Sequence, residues 1–133
     1  MKLFKFTILS LALVLTFVSC SKKSSDDSTP ASNSLDDVWA GKSVTEANNT
    51  TSFYSFEIKP NGTLNRLDET GAVAGTGIWS ISNNIFEGTY KNANNTKFSV
   101  IGSYNKGLAK ILGNWGYGNS VTNGGTWEMT RKK

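Results

Sequence analysis

Ser52-Phe53-Tyr54-Ser55-Phe56-Glu57-Ile58-Lys59-Pro60-Asn61-Gly62-Thr63 decides how this chain folds. Tyr54, Phe56 and Ile58 alternate with Ser55, Glu57 and Lys59, and a two-residue period is that of a strand with one wet face. Pro60 ends the run, and Asn61-Gly62 supplies residues that tolerate positive φ in a tight turn. Thr63 to Glu69 reads as the return strand. The stretch is a hairpin whose aromatic face needs a core.

The same texture continues on both sides. Val38 to Thr45 reads as a first strand. Gly71 to Gly75 reads as a small-residue loop, Gly77 to Ser82 as a strand, Asn83-Asn84 as a two-residue turn, and Ile85 to Lys91 as the return, with Phe86, Gly88 and Tyr90 on one face. Thr96 to Tyr104 places Phe98, Val100, Gly102 and Tyr104 on one side. Leu108 to Trp115 is apolar on both faces and reads as the best-covered strand. Gly116 to Gly125 is a Gly/Asn-rich loop, and Gly125 to Arg131 closes the chain with Trp127 and Met129 on one face. No long stretch carries a helical period. Short turns between successive strands favour antiparallel neighbours. The expected fold is all-β: an up-and-down meander of about eight short strands closed into a barrel, which leaves no open edge. A small two-sheet sandwich is the competing architecture. It needs Greek-key crossovers, and only Gly116 to Gly125 offers a long connection.

The N-terminal part has a different character. Met1 to Lys5 is basic, Phe6 to Val18 is almost wholly apolar, and Ser19 precedes Cys20, the one cysteine among 133 residues. These are the marks of a secretory signal peptide. An apolar run of about 13 residues falls short of the roughly 20 that span a bilayer as a helix. Phe17-Val18-Ser19-Cys20 resembles the lipobox of bacterial lipoproteins, in the loosened form of Bacteroidota. That resemblance implies cleavage before Cys20 and acylation of its thiol. A lone cysteine in an exported chain has no disulfide partner, and two or more acyl chains anchor stably. An ordinary signal peptide with an incidental cysteine is the alternative. Residues 21 to 34 hold almost nothing apolar and read as a disordered tether, reaching roughly 20 Å as a coil. The chain thus divides into a signal peptide (1–19), a lipidated N-terminus and tether (20–34) and a single barrel domain (35–133).

Lys2 and Lys5 leave with the signal, so of 14 basic residues 12 stay, against 10 acidic ones. Neither Lys22-Lys23 nor Arg131-Lys132-Lys133 is interleaved with aromatics, and no nucleic-acid partner is expected. Histidine is absent. With the cysteine committed to lipid, the usual zinc and transition-metal ligand sets and the Ser-His-Asp and Cys-His arrangements drop out. No metal, cofactor or catalytic residue is expected. Glu57, Glu87 and Glu128 fall opposite the large aromatics; a glycosidase-like site needs two carboxylates roughly 5–10 Å apart across a cleft, and these read as exposed strand carboxylates.

Tryptophan recurs in Val38-Trp39-Ala40-Gly41, Gly77-Ile78-Trp79, Gly113-Asn114-Trp115 and Gly125-Thr126-Trp127. A glycine two before a strand tryptophan lets a ring or a second backbone pack closely. With the Phe56-to-Thr63 hairpin and the ending Gly124-Gly125-Thr126-Trp127-Glu128-Met129-Thr130-Arg131, these residues resemble the lipocalin-like domains of Bacteroidota lipoproteins, over about Leu35 to Lys133. The resemblance implies that Arg131 packs over Trp39 at the closed end, both being structural. It also implies a small apolar ligand inside, with Tyr54, Phe56, Phe86, Tyr90, Phe98, Tyr104, Trp127 and Met129 as lining candidates, beside Ile58 and Val100. Side chains of that size would consume most of an eight-stranded barrel. The expectation is a nearly filled barrel with at most a shallow cavity at its open end. The expected protein is a monomer anchored through Cys20 to the outer membrane, facing periplasm or medium, that binds a small apolar ligand or an envelope protein. The alternative is an interaction or inhibitor module acting through the loops Asn92–Asn95 and Asn114–Gly125, with no ligand in the barrel.

Overall fold

A computed structural model describes residues 34–133; the expected signal peptide, the lipidation expected at Cys20 and the expected tether up to residue 33 lie outside the described residues. Eight strands follow in order: β1 (Asp37–Thr45), β2 (Thr50–Ile58), β3 (Thr63–Leu67), β4 (Val73–Ser82), β5 (Ile85–Asn92), β6 (Lys97–Asn105), β7 (Lys110–Tyr117) and β8 (Gly125–Arg131). Each pairs antiparallel with the next, and β8 pairs back with β1, so the sheet is a closed up-and-down barrel. No crossover interrupts the order, which rules out the sandwich.

The turn chemistry is what the sequence dictates. Gly62 sits at φ 81° in the β2–β3 turn, where the Lys59 N–H donates to the Thr63 carbonyl at 3.0 Å. Asn83 and Asn84 both have positive φ, 50° and 62°, as a tight mirror-image turn requires. Three expectations need correction. Residues 73–75 are strand, because Val73 and Gly75 pair with Leu67 and Arg66; the turn is instead Asp68 to Ala72, where the Asp68 carboxylate accepts from the Thr70 and Ala72 N–H groups, each at 2.9 Å. Strand β7 starts at Lys110 and runs to Tyr117, so the long loop is only residues 118–124. Nor is β7 the best-covered strand: Leu112 faces outward and is exposed, and Leu108 lies in the preceding turn, 69% exposed.

Residues opposite each other across a ladder point to the same face, so the register gives the barrel's interior. Phe56 stands opposite Trp39 on one side and Arg66 on the other. Val100 stands between Gly88 and Trp115, and Gly113 is opposite Trp127. The middle of the barrel is packed with Phe56, Ile58, Leu64, Phe86, Val100, Ile111, Trp127 and Met129, all buried. Phe56 and Phe86 each meet Trp127 edge-on, with centroids 6.1 and 6.0 Å apart.

The Gly-x-Trp spacing explains how so many rings fit. A Cβ on Gly77 would lie 1.8 Å from the Thr89 carbonyl oxygen, and one on Gly113 2.0 Å from that of Ile101. Only glycine allows the neighbouring strand this close, which tightens the curvature of a small barrel.

The ends differ. One is plugged: Leu35 and Trp39 are buried, the Trp39 indole N–H donates to the Leu35 carbonyl at 2.8 Å, and Tyr104 packs edge-on against Trp39 at 5.9 Å. The Arg131 guanidinium lies 5.0 Å above the Trp39 ring, donates to the Ser34 carbonyl at 2.8 Å and pairs with Asp37 at 3.6 Å. Both ends of the described chain meet here, the Lys132 N–H donating to the Val38 carbonyl. The other end opens into a cup.

Candidate functional site at the open mouth

The cup holds about 300 Å³ and is lined by Ser43, Thr45, Ser52, Tyr54, Arg66, Ala74, Tyr90, Asn92, Phe98 and Trp115. All except Ala74 take inward places on their strands. Tyr54 and Tyr90 form the floor, their hydroxyls 2.9 Å apart. Beneath them the packed core begins, with Phe56 at 5.1 Å from Tyr54 and 5.6 Å from Tyr90. Phe98 stacks on Tyr90 at 5.0 Å with the planes 16° apart, and Trp115 lies 6.2 Å beyond Phe98, so one wall is a continuous run of rings.

Arg66 is the charge of the site. The register between β3 and β4 shifts at Arg66/Leu67. A bulge of this kind re-aims side chains, and here Leu67 is buried while Arg66 keeps its inward place. The guanidinium lies 4.5 Å over the Tyr54 ring. It donates to the Phe53 carbonyl at 2.7 Å, to the Ser55 carbonyl at 3.4 Å and to the Leu67 carbonyl. Among the described residues no carboxylate pairs with it.

Burial holds the Tyr54 phenol well above its ordinary pKa, and the neighbouring Tyr90 adds to that while Arg66 opposes it. Tyr90 is raised too, again by burial first, with its Tyr54 hydrogen bond and Arg66 pulling the other way. Both phenols therefore stay protonated in neutral solution and remain hydrogen-bond donors.

The rim is firm on one side. The 118–124 loop folds back on the barrel: Asn123 accepts from the Tyr117 N–H at 2.8 Å, and the Ser99 hydroxyl donates to the Gly118 carbonyl at 2.6 Å. Gly124 lies flat against the Trp115 ring, where a Cβ would come within 2.4 Å. Ser99 points outward and is nonetheless buried, because this loop covers it. The loop expected over Asn114–Gly125 is thus shorter, with residues 114–117 in β7.

The expected lining residues separate into three groups. Tyr54, Tyr90 and Phe98 line the cup. Phe56, Phe86, Trp127 and Met129 lie deeper, in the packed middle. Tyr104 is at the opposite end, against Trp39. Arg66 and Trp115 were not among the candidates. Strand parity carries the signal for both: Arg66 follows Leu64 by two, and Trp115 follows Gly113 by two.

Elsewhere, Glu57, Glu87 and Glu128 lie on the outer wall. Glu57 accepts from Asn65 at 2.6 Å and neighbours Lys59, and Glu128 pairs with Lys110 at 2.6 Å and Lys42 at 3.3 Å. The hydrogen bonds from Lys110 and Lys42 hold the Glu128 carboxyl below its ordinary pKa. A groove of about 410 Å³ crosses the outer wall between Ile78, Thr89, Ser99 and Ile101, under Asn119 and Val121. It is larger than the cup, yet it has no cationic side chain in its wall. Among the described residues no group of three or more Asp or Glu converges as a metal site would require.

Comparison with protein-family models, with curated proteins and with solved structures returns no match. What the chain does must therefore be read from the mouth itself.

Proposed function

We propose that this chain is an exported binding module, anchored to a bacterial outer membrane through acylated Cys20, whose open mouth takes a small, largely apolar ligand. The observation that carries the reading is the contrast between a packed barrel and a cup of about 300 Å³ walled by Tyr54, Tyr90, Phe98 and Trp115. That volume sits at the bottom of the range of roughly 300–1,000 Å³ typical of small-molecule sites. A long acyl chain has no room below the tyrosine floor, so the ligand is compact. The described chain starts beside Trp39 at the plugged end, so a tether leading to Cys20 would place the mouth away from the membrane. The protein acts as a monomer and without catalysis: Glu57, Glu87 and Glu128 point outward, two of them onto lysines.

Two measurements test this. With naphthylmethanol as a compact aromatic probe, amide shifts in NMR spectra should concentrate at Ser43, Ser52, Ala74 and Asn92. Shifts confined to the outer-wall groove, or none up to millimolar probe, would remove the mouth as the site. For the anchor, the Cys20→Ser protein should lose fatty-acid label and membrane partition; retained label on that variant would remove lipidation from the account.

A further inference from the structure

Resting on the mouth as the binding site, we propose that its ligand carries a carboxylate, received by Arg66 and a tyrosine hydroxyl, on a flat apolar body laid against Phe98 and Trp115. Three observations on the cup converge. Arg66 is a permanent cation with no carboxylate partner among the described residues. Its bonds to the carbonyls of Phe53, Ser55 and Leu67 fix where it points. Carbonyls are neutral, so they orient the charge without cancelling it. A guanidinium has five N–H groups; three go to these carbonyls and one reaches the Tyr90 hydroxyl, which leaves one for a ligand.

The tyrosine pair points the same way. Two hydroxyls 2.9 Å apart own two protons, and their mutual bond consumes one. No other acceptor engages either hydroxyl among the described residues. The second proton is therefore available to an acceptor above the floor, beside Arg66, and a carboxylate has two oxygens to offer both donors. Burial keeps that proton in place. The stacked Tyr90–Phe98 wall, continued by Trp115, offers a flat apolar face, which suits a planar body.

The competing role for Arg66 is a staple that only ties β2 to β3, beside the bulge between β3 and β4. The two roles separate in a binding experiment. Isothermal titration of the purified protein would compare naphthoate with the neutral naphthylmethanol. Naphthoate should bind at least about tenfold tighter, as expected for charge-assisted hydrogen bonds. Arg66→Gln should erase the difference between the acid and the alcohol, the two probes binding that variant equally. Tyr90→Phe, which keeps the ring, should weaken naphthoate by about tenfold, the order of one hydrogen bond to a charged group. Equal affinity of the two probes for the unmodified protein would overturn the carboxylate while leaving the mouth as a site. Naphthoate binding unchanged in Arg66→Gln would also overturn it, assigning Arg66 to the staple. If neither probe binds, the mouth reading falls as well. Should Arg66→Gln fail to fold, the acid–alcohol comparison and Tyr90→Phe still decide.

Discussion

Two arginines sit over two aromatic rings at opposite ends of one barrel, and they are not equivalent. Arg131 lies 5.0 Å above Trp39 with Asp37 at 3.6 Å to balance it, beneath the segment that carries buried Leu35. Arg66 lies 4.5 Å above Tyr54 with carbonyls for company and a cup above it. Cation over ring is worth roughly 0.5–2 kcal/mol in either place. What separates them is the counter-ion and the empty volume. At one end the charge is complete within the protein, and at the other it is held in position and left unmatched. The first arrangement is what stability requires, and the second is what the proposed recognition would require.

The sharpest way to break this contrast is to cut a ring from each end. Trp39→Ala removes a fully buried indole and should cost about 3–5 kcal/mol, whereas Phe98→Ala at the half-buried rim should cost under about 2 kcal/mol. Urea denaturation of both variants checks the ranking, and equal losses would mean that the mouth is as much core as the plug. A smaller effect is expected in alkali. An unfolded tyrosine ionises near pH 10, while Tyr54, and to a lesser degree Tyr90, keep their protons in the folded barrel. The folded state then binds the extra protons, so stability is intact below about pH 10 and declines above it, by up to about 1.4 kcal/mol per pH unit for each phenol. Tyr54→Phe should make that decline shallower, and melting curves from pH 9 to 11 would show it. Smallest of all is the closed-end counter-ion. Asp37→Asn leaves Arg131 as unmatched as Arg66, but the pair is partly exposed, so the cost should stay below about 1 kcal/mol. A loss in the urea midpoint as large as that of Trp39→Ala would show that the balance of charge at the plug matters as much as its rings.

Much of the barrel was legible in the alternation of Tyr54, Phe56 and Ile58 and in the turns at Asn61-Gly62 and Asn83-Asn84, because strand period and turn geometry are local properties. The closure of β8 onto β1 followed from the same short turns. What escaped were boundaries that depend on partners. Val73 and Gly75 look like loop residues until Leu67 and Arg66 bind them, and Leu112 looks like core until the register turns it outward. The mouth was half legible. Large inward rings mark a filled interior, but the chain does not say at which depth each ring sits, so Tyr104 at the plug and Tyr54 at the cup look alike. Arg66 was hidden by its charge: a strand arginine reads as solvent-facing, although its parity with Leu64 turns it inward, opposite Phe56.

Seven of the eight strand pairings join neighbours in sequence, and the eighth stitches β1 to β8 with Trp39 opposite Arg131. The entropy of closing a loop grows only with the logarithm of its length, so this long seam is less of an obstacle than its span suggests. It is also the clasp of the molecule. Its seven residue pairs run from Trp39–Arg131 at the plug to Thr45–Gly125 at the mouth, so one ladder ties the two ends together. A loosening at either pole is felt along the same seam, and slow amide exchange along Gly41 to Val44 would be its clock.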